Sequence, residues 1–356
     1  MHTPAFIPGG ALGLLLLLVA HAYPCVAAPA HASSRPSSTP TAQRPLPPGQ
    51  VITVRDLQPL IDIPEGIAID HRGNIFISNN RLENELRVPE ILEIAADNTT
   101  SVFATLDPGV VNEFPTGVVG LAVDARGNLF AALASRKPAT HGIWRLRRDG
   151  SAERVAGSEQ MITPNALAFD AHGNLYATDS SDGAIWRFPP AGPGRLWLRH
   201  DLLAPHPDFG IGANGIAFVP PRSLFVANSD FGLIARVPIQ LTGDAGEPQT
   251  VAIGFELLLI DGLAADAHGD LHAVIAGASI FGTAPLVHVN PRTGAITAST
   301  TAWDKFDFPT SLAFGTGPRG RKSVYVINSG VFPEDRPEAT PGIVRVGVDA
   351  PGFPAR

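Results

Sequence analysis

The sequence predicts an all-β protein: a six-bladed β-propeller with four-stranded blades. Three observations carry this. A short apolar phrase recurs six times, each copy leads through a turn into further strand-like runs, and one strand at the start of the array has no blade of its own. The copies are Glu65-Gly66-Ile67-Ala68-Ile69-Asp70, Val119-Gly120-Leu121-Ala122-Val123-Asp124 and Asn165-Ala166-Leu167-Ala168-Phe169-Asp170. They continue as Asn214-Gly215-Ile216-Ala217-Phe218, Asp261-Gly262-Leu263-Ala264-Ala265-Asp266 and Thr310-Ser311-Leu312-Ala313-Phe314. Their first positions lie 54, 46, 49, 47 and 49 residues apart, a period that marks a propeller or a similar array.

Within each repeat the elements follow in a fixed order. The first strand ends in a turn such as Asp70-His71-Arg72-Gly73-Asn74 or Asp266-Ala267-His268-Gly269-Asp270, where Asp and Asn cap the backbone and Gly supplies a positive φ. Second strands follow, among them Ile75-Phe76-Ile77, Leu175-Tyr176-Ala177 and Leu271-His272-Ala273. Third strands such as Ile143-Trp144-Arg145-Leu146 alternate apolar and polar residues, the pattern of a half-exposed strand. Five repeats add a fourth strand, for example Ser101-Val102-Phe103-Ala104. The sixth lacks one, and the spare strand from Val51 to Leu57 is expected to pair with it and close the ring. A β-sandwich is the rival architecture, disfavoured by the regular four-strand period.

Composition narrows the function classes. With 356 residues, 44% hydrophobic and 17% charged, the chain has ample material for a large core. A formal charge of −7 and the lack of a basic stripe argue against a nucleic-acid partner. The apolar run from Leu12 to Ala20 is too short to span a bilayer. Followed by small residues, it fits a signal peptide over residues 1–28, so a secreted or periplasmic location is expected. Residues 29–50 form a leader rich in Pro, Ser and Ala, expected to be flexible, and residues 51–356 the propeller. The only cysteine, Cys25, lies in the signal segment, so no disulfide framework is available.

The body of the repeat is uniform, whereas its first position runs through Glu, Val, Asn, Asn, Asp and Thr. In a propeller the innermost strands line a channel, so equivalent positions form a ring at one mouth. Glu65, Asn165, Asn214 and Asp261 would then meet as hard oxygen donors, suited to Ca2+ or another hard divalent cation. Zinc, copper and iron favour His or Cys, absent from this ring. Val119 and Thr310 leave one side open for an organic ligand.

The repeat period with Pro64-Glu65-Gly66, Asn165, Asn214-Gly215 and Asp261-Gly262 resembles the gluconolactonase/regucalcin-like six-bladed propellers. More distantly the chain is similar to paraoxonase and strictosidine-synthase-like proteins, with NHL-like repeats. The resemblance implies that Glu65, Asn214 and Asp261 bind the divalent metal, that Asn165 assists, and that Asp261 is the general base. It implies a calcium-dependent hydrolase of lactones or related esters, with water attacking a polarised carbonyl. Two other readings stay open: a non-catalytic propeller that binds a small ligand or a protein around a structural metal, and a lyase or condensing enzyme on the same fold.

Other residues join the candidate site by their place in the repeats. His206, in the loop entering the Asn214 strand, is a candidate proton shuttle, and His141 lies in another loop that can face the ring. Asn80, Asp179 and Asn228, at polar ends of second strands, and Asn112 with Glu113 are candidate substrate contacts. The segment Arg81 to Pro89 is long enough for a lid, and Phe281 or Phe332 for pocket walls. His71, His172 and His268 sit in the turns at the opposite end.

Overall fold

The computed structural model describes residues 45–57, 63–83, 86–106, 110–111, 117–135, 137–300, 305–330 and 341–353. The signal segment, most of the leader, Asn112, Glu113 and Phe332 lie outside the described residues. Six antiparallel sheets follow one another along the chain. The inner strands are Ile67–Ile69, Gly117–Val123, Pro164–Phe169, Ala213–Val219, Ile260–Ala265 and Pro309–Phe314. The last sheet takes its outermost strand from the N-terminus: Val51–Asp56 pairs with Gly342–Gly347, joining Val51 to Val346 and Asp56 to Gly342. This is a six-bladed β-propeller closed by its own first strand. Among the described residues no helix is long and apolar enough to cross a membrane.

The core is a ring of layers rather than a single centre. Six apolar clusters lie between consecutive blades, for example Phe76, Ile91, Val118 and Leu121 between the first and second. Val274, Leu286, Val324 and Val346 join the fifth to the sixth, and Ile67, Ile77, Ile327 and Ile343 the sixth to the first. Each sheet is therefore covered on both faces. That is why second strands such as Leu129–Ala134, Ser223–Asn228 and Leu271–Ile275 are buried at every residue.

Third strands are more buried than their alternation predicts, and the exposed edge falls on the fourth strands. The polar positions of third strands are mostly arginines that stand beside an aromatic partner on the second strand. Phe130 pairs with Arg145, Tyr176 with Arg187, Phe225 with Arg236 and Tyr325 with Arg345. Arg345 is only 1% exposed; its Nε donates to Ser323 Oγ (2.9 Å) and its guanidinium lies 5.7 Å from the Tyr325 ring centre. An arginine stem and a guanidinium face pack like apolar surface, so alternation overstates exposure here.

The segment from Arg81 to Pro89 differs from expectation too. It continues the strands Ile75–Glu83 and Leu86–Ile94, pairing Arg81 with Val88 and Glu83 with Leu86, and Val110–Val111 adds a further rung. It is a long hairpin arm rather than an irregular lid. The end of the leader lies against the last blade, where Gly49 donates its N–H to Gly347 O (2.9 Å).

The inner strands crowd together where the ring residues stand. A β-carbon on Gly120 would overlap the carbonyl oxygen of Asn165, and one on Gly215 that of Asp261. Glycine after the ring position is thus required by the close approach of adjoining blades. Overpacking of this kind costs about 1–3 kcal/mol. Gly120→Ala is expected to lower the urea midpoint accordingly without changing the m-value, measured by circular dichroism.

Candidate functional site

The pairing register slips at the start of most inner strands. Breaks fall between Val118 and Gly120, Pro164 and Leu167, Ala213 and Ile216, Ile260 and Leu263, and Pro309 and Ser311. Each break is a bulge that spans or adjoins the ring residue, and bulges re-aim side chains. Local structure therefore takes Val119, Asn165, Asn214, Asp261 and Thr310 out of the regular ladder, and Val119 packs against the apolar layer between the second and third blades.

A second device fixes their height. A polar residue within the long second strand of the first blade, or just past the second strand in later blades, reaches across to the next blade and holds the backbone just before its ring position. Asn80 Nδ2 donates to Val118 O (3.1 Å), and Asn80 Oδ1 accepts the Val118 N–H (2.8 Å). Ser180 Oγ donates to Ala213 O (2.7 Å), Ser229 Oγ to Ile260 O (2.5 Å) and Ser329 Oγ to Pro64 O (2.5 Å). The residues immediately before Asn214, Asp261 and Glu65 are all held in this way. Thr310 Oγ1 donates to Glu65 O (2.9 Å), and so joins the sixth blade to the first.

Side chains of the ring are oriented by the same serines. Asn165 Nδ2 donates to Ser180 Oγ and Asn214 Nδ2 to Ser229 Oγ, both at 2.9 Å. With its nitrogen tied back, the half-buried Asn165 amide leaves its carbonyl oxygen for the channel. The carboxyl of Asp261 is held well above the usual carboxylate range. Burial is the main cause and the nearby Glu65 charge the second; a hydrogen bond from Asn214 works against them. Glu65, Asn214 and Asp261 thus come together. Two carboxylates brought together at the mouth repel each other, and a cation there would relieve the repulsion. The hard-oxygen donor set fits calcium or a similar divalent ion.

The remaining candidates have definite places. Besides Asn80, Asp179 and Asn228 serve the backbone. Asp179 accepts the N–H groups of Ile162 and Thr163 (both 2.7 Å); burial raises its carboxyl and these bonds oppose the rise. Asn228 Nδ2 donates to Leu202 O (3.1 Å) and Ala204 O (2.8 Å). All three anchor the loops that deliver ring strands. Both nitrogens of His141 are engaged: Nδ1 accepts from Ser135 N–H (3.0 Å) and Nε2 donates to Met161 O (2.9 Å), the arrangement of a neutral ring.

His206 stands on the rim, its ring stacked on Phe209 at 4.8 Å and its Nδ1 accepting from Asp208 N–H (3.2 Å). Exposed apolar side chains are found in the same ring-side loops: Ile162, Phe231, Phe255 and Ile280. Phe281 packs edge-on against Phe255 at 5.6 Å. A cavity of about 570 Å³ opens between the second and third blades, walled by Ser135, Pro138, His141, Met161 and Thr163.

The fold and the ring define a class: six-bladed propellers with an oxygen-lined channel mouth. No protein-family model matches the chain, and no curated protein matches it. Among solved structures it is similar to a gluconolactonase from Xanthomonas campestris, at 18% identity and a TM-score of 0.60, covering 88% of this chain and 99% of that one. It is also similar to a luciferin-regenerating enzyme (16%, 0.61, 85% and 97%) and to the calcium-binding protein regucalcin from Agrobacterium tumefaciens (16%, 0.60, 82% and 92%). At these identities the likeness is one of fold: the chain has the propeller architecture of gluconolactonase and regucalcin.

Asp230, behind the rim, gives a check on this electrostatic picture. Its Oδ2 accepts the N–H groups of His206 and Ile211 (both 2.9 Å), yet burial pushes its pKa up to about 6. A carboxyl raised from 3.8 binds its proton more tightly when folded, so the folded state loses stability as pH rises through that window. Asp230→Asn is expected to exceed the wild type by on the order of 2–3 kcal/mol at pH 7.5, narrowing as pH falls toward 4. Urea titrations across pH measure this.

Proposed function

We propose that the chain is an exported, calcium-dependent hydrolase of lactones or related esters, acting at the channel mouth. The observation that carries this reading is the forced meeting of Glu65 and Asp261 beside Asn214. A protein held together only by packing gains nothing from two repelling carboxylates, whereas a binding site for a cation needs them. The fold of gluconolactonase and regucalcin supports the same reading, and the leader sequence supports export.

Glu65, Asn165, Asn214 and Asp261 would hold the ion, which when bound supplies Lewis acidity and stabilises negative charge growing on a carbonyl oxygen. Asp261, on the wall beside the ion, takes the proton of the attacking water. Asn214 orients that carboxyl. His206 passes the proton outward from the rim. The apolar rim of Phe231, Phe255 and Ile280 suits a substrate carrying hydrocarbon beside its carbonyl.

Calcium at a hundredfold excess over Kd should add about 2.7 kcal/mol of stability, read as a raised Tm that a chelator reverses. Glu65→Gln is expected to abolish that rise while leaving the metal-free protein at least as stable as wild type, because the repulsion on Asp261 is gone. Asp261→Asn is expected to lower kcat on a lactone panel by at least about a hundredfold, the scale of a lost general base. A calcium-dependent Tm with no turnover on lactones or esters would replace this reading with a ligand-binding propeller. Full turnover in chelator would remove the metal from the mechanism.

A further inference from the structure

The turns at the opposite end of the inner strands provide an internal control, since four blades build them alike. In the first three, an aspartate closes on an asparagine four residues later. Asn74 Nδ2 donates to Asp70 Oδ2 (2.8 Å), Asn128 to Asp124 (2.7 Å) and Asn174 to Asp170 (2.7 Å). In the fifth blade the aspartate is Asp266, and the asparagine is replaced by a second carboxylate, Asp270. Asp266 Oδ1 still accepts the N–H groups of His268 (2.8 Å) and Asp270 (3.1 Å), so the turn is kept while its polar partner changes.

The adjacent strand pair changes with it. Where four other blades set an aromatic ring opposite an arginine, this one sets His272 opposite His288. The third blade shows what is lost: Arg187 there donates to Asn174 Oδ1 (3.0 Å). In the fifth, His288 Nε2 lies 3.3 Å from Asp270 Oδ2 and His272 Nε2 3.4 Å from Asp266 Oδ2, with the two imidazole centres 5.4 Å apart. Ligand atoms of Asp266, Asp270 and His288 all lie within 4.8 Å of one another. Two bonds of about 2.05 Å at a tetrahedral angle separate their donors by about 3.3 Å, so the Asp270–His288 gap matches a zinc coordination shell and the wider separations would close on binding.

The surroundings add to the cluster. His272 is 3% exposed, with its Nε2 directed at Asp266 and its Nδ1 buried without a hydrogen-bond partner. Its side chain also lines a cavity of about 430 Å³, bounded on the far side by Pro48, Gly49 and residues 347–350. Replacing an arginine by a shorter imidazole leaves room there. Arg292, 67% exposed, reaches Asp270 only from the rim (3.4 Å).

We propose that this end of the fifth blade is a second metal site, in which Asp266, Asp270 and His288 bind a divalent transition cation of the zinc type and His272 positions Asp266. Mixed imidazole and carboxylate donors favour zinc over calcium, the reverse of the all-oxygen channel ring. No ring residue contributes, so the site stands whatever the channel does.

The test is a calorimetric titration of the full chain with Zn2+ in saturating Ca2+, repeated with Co2+, whose visible absorption reports imidazole ligation. Wild type is expected to bind one zinc outside the channel. Asp270→Asn, which installs the residue that three sibling blades carry, and His288→Gln should each weaken that event by at least about tenfold with the calcium response intact. Glu65→Gln should leave zinc binding unchanged and lose only the calcium response. Equal zinc binding by wild type and both blade variants, or none by wild type, would overturn the proposal. Melting curves of each variant without metal confirm that it folds.

Discussion

Closure of the ring is the constraint on which everything else rests. The first strand pairs with the last blade, and with it the apolar layer between the sixth and first blades is completed. Only then does Ser329 reach Pro64 and Thr310 reach Glu65. These bonds set Glu65 against Asp261, a residue four blades away along the chain. Without closure, the two carboxylates would separate into water and ionise independently. The unfavourable pair at the mouth therefore depends on the favourable packing between blades, which supplies enough cohesion to hold it.

The two ends of the propeller treat polar groups differently for a physical reason. At the mouth, inner strands approach so closely that backbone meets backbone, and the bulges aim short oxygen-bearing side chains into a narrow space. At the opposite end, in four of the blades, an aspartate caps the turn of its own blade. A ring on one side thus arises from equivalent positions contributed by several blades, while any site on the other must be assembled within one blade and its neighbour. The Asp266, Asp270 and His288 cluster has that second form. Its chemistry comes from departures inside a single repeat, not from convergence among repeats.

The architecture and the ring were legible in the sequence because both follow from periodicity. Equivalent positions in a closed array must face the same axis, so the variable first residue of each phrase singled out Glu65, Asn165, Asn214 and Asp261 as candidates without coordinates. Asn80, Asp179 and Asn228 were legible as polar ends of strands, but their partners were not. Whether an asparagine meets a ligand or a carbonyl of the next blade depends on inter-blade distances, which sequence spacing does not encode. The arginines of the third strands misled for a related reason, since their charge hides the apolar surface of their stems. The paired strands from Arg81 to Pro89 escaped notice because long hairpins and loops share a composition.

What the sequence alone determined is the number of blades, the strand that closes them and the set of side chains around the axis, since these follow from a local pattern repeated at a fixed interval. The tertiary structure decided which polar groups are already satisfied, in which direction the pKa of Asp261 is displaced, and that two histidines and two aspartates of one blade share a cavity with the end of the leader. Those properties depend on burial and on separations of a few ångströms between strands far apart in the chain, and electrostatic energies change steeply over such distances.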